Sequence, residues 1–175
     1  VGGRVWSMPL EDDPSSSSPR PVPPEPREDG NTESLARARA SSVLLIEDNP
    51  SDVYVIRQVL NGCGVSIRLF VATDGEEALS MLEASTETFQ GSEPSLILLD
   101  WNLPKLSGAE VLAYLRGTDR WRDTPVVVVT STNSPAERRE MNRLGAAHFR
   151  KPTDLDAYLD LAKIVVEKLP RTSTA

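Results

Sequence analysis

From Ser41 onward the chain alternates short runs of β-branched and aliphatic residues with longer stretches whose apolar positions recur every three or four residues. The short runs predict five strands, at Val43–Glu47, Ser66–Ala72, Leu96–Asp100, Val126–Thr130 and Ala147–Arg150. Three of these are nearly continuous apolar runs, the mark of strands covered on both faces of a parallel sheet. Between and after them the pattern predicts five helices, four of which carry an apolar stripe. Their apolar stripes are Val53, Ile56 and Leu60; Ala78 and Leu82; Val111, Leu112 and Leu115; and Leu155, Leu159, Ala162 and Val166.

Helix starts are marked by capping chemistry. Asn49-Pro50 puts a capping side chain before a proline at the first helical position, and Ser134-Pro135 repeats this with Glu137 completing a capping box. Asp74 with Glu77, and Ser107 with Glu110, have the same spacing. A strand–helix alternation of this kind makes right-handed crossovers. The predicted fold is therefore α/β, a doubly wound five-stranded parallel sheet in the order 2-1-3-4-5 with five helices. Ligands in such sheets sit at the carboxyl ends of the strands, near the switch point between the first and third.

Residues 1–40 lack this periodicity. They hold half of the fourteen prolines and the serine run Ser15 to Ser18, and are read as a disordered Pro/Ser-rich tail. A Pro-rich docking peptide at Pro19 to Pro26 is the functional alternative. Residues 41–170 form the folded domain and 171–175 a short C-terminal tail. The formal net charge of −7 argues against phosphate-backbone binding, so direct DNA binding is not expected. A lone cysteine, Cys63, excludes an internal disulfide and a thiolate metal cluster. No apolar run approaches the roughly 20 residues that span a bilayer, and a cytoplasmic protein without membrane contact is expected.

The strand ends carry the chemistry. Glu47-Asp48 follows the first strand and Asp100 ends the third, so the topology gathers three carboxylates at one edge. Packed carboxylates repel unless a cation neutralises them, and oxygen-only ligands suit hard Mg²⁺ better than Zn²⁺. Thr130 at the end of the fourth strand and Lys151-Pro152 after the fifth add a hydroxyl and a cation able to hold phosphoryl oxygens. Singly, each residue has a structural explanation as a cap, a strand end or a surface charge. Jointly they make a site for phosphoryl transfer.

With Glu47-Asp48, Asp100, Thr130 and Lys151-Pro152 at four strand ends, the chain resembles the response-regulator receiver domains over about residues 41–168. The finer runs Glu47-Asp48-Asn49-Pro50, Asn102-Leu103-Pro104 with Gly108, and Lys151 through Leu155 resemble single-domain receivers that partner phytochrome-type sensor kinases. The resemblance implies that Asp100 is the phosphoacceptor. It further implies that Asp48, Asp100, the Asn102 carbonyl and Glu47, directly or through water, hold Mg²⁺. Thr130 and Lys151 would bind the phosphoryl group, Ser131 would leave it room, and Asn102 and Thr132 would tune its lifetime. The implied partners are a sensor histidine kinase or phosphotransfer protein and a downstream protein target. About seven residues follow the last helix, so the signal is expected to leave through the receiver surface near Met141 to Tyr158, by partner binding or homodimerisation.

His148 stands where the family usually has Tyr or Phe, and is read either as an unremarkable strand residue or as a pH-sensitive switch. Trp101 is expected to pack beside the site and Trp121 to cover a surface helix end. An aspartyl-phosphate hydrolase would need an acid where Asn102 stands, so a turnover enzyme is not expected. A nucleotide site would need a Gly-rich turn after the first strand. The remaining alternative is a phosphorylation-independent adaptor on the same fold.

Overall fold

The computed structural model describes residues 40–154 and 156–170, apart from the side chains of 85 and 86. All but residue 40 of the proline-rich tail, the docking peptide within it, the C-terminal tail and Leu155 lie outside the described residues. The strands are β1 (Ser41–Ile46), β2 (Ile67–Ala72), β3 (Leu96–Leu99), β4 (Val126–Thr130) and β5 (Ala147–Arg150). The helices are α1 (Pro50–Asn61), α2 (Gly75–Glu83), α3 (Gly108–Gly117), α4 (Pro135–Arg143) and α5 (Tyr158–Lys168), with one further helical turn at Ser85–Thr88. All strand pairs are parallel and their order is β2-β1-β3-β4-β5, as the alternation predicts.

Strand periodicity divides the core into two layers. Leu44, Ile46, Ile97, Leu99, Val126 and Val128 face α2 and α3, packing on Ala78, Leu82, Val111, Leu112 and Leu115. Their sequence neighbours Val43, Leu45, Leu96, Leu98, Val127 and Val129 face α1 and α5. Each such side chain, fully buried, contributes on the order of 1.5–3 kcal/mol. The central strands are buried on both faces, whereas the edge strands β2 and β5 are only part-buried. One helix sits over each crossover, so the helix-starting loops all fall at the carboxyl edge of the sheet.

Asn49 caps α1 by accepting from the Ser51 amide, and Ser107 with Glu110 forms a reciprocal capping box at α3. Two expected boxes are incomplete. Asp74 accepts from the Glu77 amide, but the Glu77 carboxylate takes the amide and hydroxyl of Thr73 instead, at 2.7 Å each. Ser134 accepts from the Glu137 amide at 3.4 Å, while one buried Glu137 oxygen finds no partner.

The stripe expected on the last helix is also corrected. Tyr158, Leu161, Ala162 and Val165 are its buried face, and Leu159 and Val166 are exposed. Both sets have helical spacing and share Ala162. The phase is set by Tyr158, whose ring packs 6.2 Å from that of Phe149. Trp121 is buried in the α2/α3 core layer instead of covering a surface. The turn after α3 folds it inward, with the Trp121 amide bonded to the Thr118 carbonyl at 3.0 Å and the Arg120 guanidinium 5.0 Å from its ring.

Candidate functional site

Register places the site. Ile46 of β1 lies opposite Leu99 of β3, so the next residues, Glu47 and Asp100, leave the sheet side by side. Their amides remain in the ladder: Glu47 donates to the Ala72 carbonyl and Asp100 to the Ile46 carbonyl, each at 2.9 Å. Carboxylate oxygens of Glu47, Asp48 and Asp100 all lie within 4.8 Å of one another. Glu47 and Asp100 are buried and Asp48 is exposed. The cluster therefore has a closed floor and an open mouth.

Lys151 enters from the far side of the sheet, its amide bonded to the Thr130 carbonyl at 2.9 Å. Its Nζ donates to Asp100 Oδ2 at 2.8 Å, to Glu47 Oε2 at 2.7 Å and to Asp52 Oδ2 at 2.8 Å. Burial works against the charged ammonium, yet the hydrogen bonds to Asp100, Asp52 and Glu47 hold Lys151 well above the usual lysine range. At Glu47 burial outweighs the bond to Lys151, and the carboxyl is pushed up to about 7, with the charge of Asp100 adding to the rise. Tyr158 lies close enough for burial, and then the charge of Asp52, to raise its phenol.

Thr130 is buried, and its hydroxyl oxygen accepts from the Thr132 amide at 3.2 Å. Asn102 is exposed, and its amide donates to Asp100 Oδ1 at 3.1 Å, so both oxygens of Asp100 are held. Ser131 is exposed, Thr132 is half-buried, and His148 is exposed on edge strand β5. Trp101 packs beside the site in the core.

The loop after Asp100 is anchored at both ends. Lys105, at a φ of 63°, reaches Asp74 at 2.6 Å, which holds that carboxyl below the usual range. A Cβ on Gly108 would lie 2.4 Å from the Asp100 carbonyl and 2.7 Å from the Trp101 Cα. Only glycine permits that approach. The chain thereby turns straight from the loop after Asp100 into α3.

Sequence reasoning did not single out Asp52 or the Lys105–Asp74 pair. Asp52 stands three residues after the cap Asn49, where an acid also serves a helix start, so its spacing gave no separate signal. The spatial signal was the strand–helix turn itself, which brings the first turn of α1 to the same edge as Lys151.

Three carboxylates, from Glu47, Asp52 and Asp100, thus share one ammonium, and Asp48 adds a fourth beside Glu47 and Asp100. Oxygen-only donors with an excess of negative charge, one of them buried and pushed toward neutrality, fit a hard divalent cation.

A family model for the response regulator receiver domain matches residues 43–163, and the chain belongs to that family. It is a receiver-domain response regulator of two-component signalling. Response regulator Rcp1 of Synechocystis sp. is 36% identical over 92 residues, covering 53% of this chain and 63% of that protein, less than two thirds of its length. The probable methanogenesis regulatory protein FilR2 of Methanothrix harundinacea is 33% identical over 126 residues, 71% of this chain and 79% of that protein. Among solved structures, the phosphorylated cyanobacterial phytochrome response regulator RcpA matches with a TM-score of 0.68 at 30% identity, covering 77% of this chain and 97% of that one. The Mn²⁺-bound form of Rcp1 matches with a TM-score of 0.67 at 28% identity, with the same coverage.

Proposed function

We propose that Asp100 accepts a phosphoryl group from the phosphohistidine of a sensor kinase or phosphotransfer protein, and that the phosphorylated domain signals by protein–protein contact. The observation that carries this reading is the convergence of Lys151 and the carboxylate cluster on Asp100. An oxygen of Asp100 attacks phosphorus in line, an O–P bond forms, the P–N bond to the donor imidazole breaks, and its electron pair leaves with the imidazole. Lys151 then moves one of its N–H bonds from Asp100 to a phosphoryl oxygen, and the Thr130 hydroxyl donates to another. Glu47, Asp48, Asp100 and the Asn102 carbonyl are the residues that would hold Mg²⁺, which when bound neutralises charge on the phosphoryl oxygens.

Asn102 and Thr132 line the approach to Asp100 and neither is a strong general base, so water removes the phosphoryl group slowly and the protein does not turn over substrate. The kinship with phytochrome response regulators favours a phytochrome-type sensor as the kinase. Among the described residues no helix is long and apolar enough to cross a membrane. We assign the exchange to the cytoplasm, and the output to the α4–β5–α5 surface.

The test is intact mass after incubation with acetyl phosphate and Mg²⁺, with and without chelator. A single labile, Mg²⁺-dependent phosphoryl adduct in the wild type, absent from Asp100→Asn, is the expected result. No adduct from either acetyl phosphate or a phosphorylated kinase would favour a phosphorylation-independent adaptor.

A further inference from the structure

The proposed reaction leaves one carboxylate of the site without a role. The Lys151 ammonium has three N–H donors, and Glu47, Asp52 and Asp100 accept them at 2.7, 2.8 and 2.8 Å. Two of these acceptors are needed elsewhere during phosphoryl transfer. Asp100 forms the bond to phosphorus, and Glu47 belongs, with Asp48 and Asp100, to the cluster that fits a divalent cation. Asp52 belongs to neither set.

Asp52 is also placed independently of the others. It rides on the first turn of α1, whose start is fixed by the Asn49 cap, and its Oδ2 takes a second, longer bond from Asn49 Nδ2 at 3.4 Å. Its position follows from the helix and not from the occupancy of the cluster.

We propose that Asp52 is a positioning residue for Lys151: it keeps one hydrogen bond to the ammonium while Glu47 and Asp100 change partners. This rests on the reading of Asp100 as phosphoacceptor. The lysine stem has four rotatable bonds, and an ammonium that lost two acceptors at once would swing into water. One retained bond confines it to the site and leaves two N–H donors for phosphoryl oxygens. Asp52 therefore assists transfer instead of withholding the lysine from it.

The experiment uses the full chain. Phosphorylation by acetyl phosphate is followed over a range of Mg²⁺ concentrations in the wild type, Asp52→Asn, Lys151→Ala and the double variant. The fluorescence of Trp101, adjacent to Asp100, gives the Mg²⁺ affinity of each. Asp52→Asn is expected to lower the maximal rate roughly tenfold at saturating Mg²⁺, with Mg²⁺ affinity within about threefold of wild type. In the Lys151→Ala background the same substitution is expected to change nothing, because the group it positions is gone. An unchanged rate in Asp52→Asn, an equal fall in both backgrounds, or a fall that vanishes at saturating Mg²⁺ would overturn the proposal. A wild type that takes no phosphoryl group defeats the phosphoacceptor reading itself and this inference with it.

Discussion

Replacing Glu47 by glutamine in the metal-free protein isolates the electrostatic cost of the site. Glu47 is 1% exposed and its carboxyl is pushed up from 4.5 to about 7, chiefly by burial. The folded protein thus holds a proton that the unfolded chain has already lost, and this group makes stability decline as pH rises from 4.5 to about 7. At roughly 1.36 kcal/mol per pH unit, that interval amounts to about 3 kcal/mol. Glutamine keeps the shape of the protonated acid, and Lys151 retains Asp52 and Asp100 as partners. Glu47→Gln is therefore expected to be more stable than wild type by about 1–3 kcal/mol near pH 8 and about equal to it near pH 4.

The assay is urea unfolding in chelator at those two pH values. The carboxyls of Asp74, Glu77 and Glu110, held low by Lys105, Thr73 and Ser107 respectively, contribute the opposite slope at lower pH and cancel between the two proteins. With saturating Mg²⁺ the order reverses, because only the wild type keeps the full ligand set and gains binding free energy. If Glu47→Gln were the less stable protein near pH 8 in chelator, burial would not dominate the energetics of Glu47 and the argument would fail.

The remaining predictions concern the metal and the acceptor loop. Mg²⁺ affinity, read from Trp101 fluorescence, is expected to rise by up to about tenfold per pH unit below about 7 and to level off above it, since Glu47 must lose its proton to become a ligand. A flat profile across that range would show that Glu47 is already ionised. Gly108→Ala forces a methyl against the Asp100 and Trp101 backbone at 2.4 and 2.7 Å. A loss of about 3 kcal/mol in urea unfolding is expected, together with slower phosphorylation as Asp100 is displaced; wild-type values in both assays would mean that the loop yields freely.

Most of the fold was legible because the parallel sheet writes itself into the sequence. Val43 to Ile46, Leu96 to Leu99 and Val126 to Val129 are apolar on both faces, and each ends at a residue the site uses or adjoins. Strand order then brought Glu47 and Asp100 together through the register of β1 on β3. What stayed hidden depended on phase and direction. Leu159 and Ala162 fit one helical stripe as well as Tyr158 and Ala162 fit another, and only the packing of Tyr158 on Phe149 separates them. An acid at Asp52 reads as part of a helix start until the reach of Lys151 across the sheet is known. Glu137 has capping-box spacing, but spacing does not turn its carboxylate back toward the cap.

The most direct test of the central claim is to locate the phosphoryl group on the chain. The protein is phosphorylated in the presence of Mg²⁺, the acyl phosphate is reduced with borohydride, which converts a phosphorylated aspartate to homoserine, and peptides are mapped by mass. Homoserine at position 100 alone is the predicted result. Homoserine at Asp48 or Asp52, or none at any position in a protein that has taken up phosphate, would contradict the assignment of Asp100.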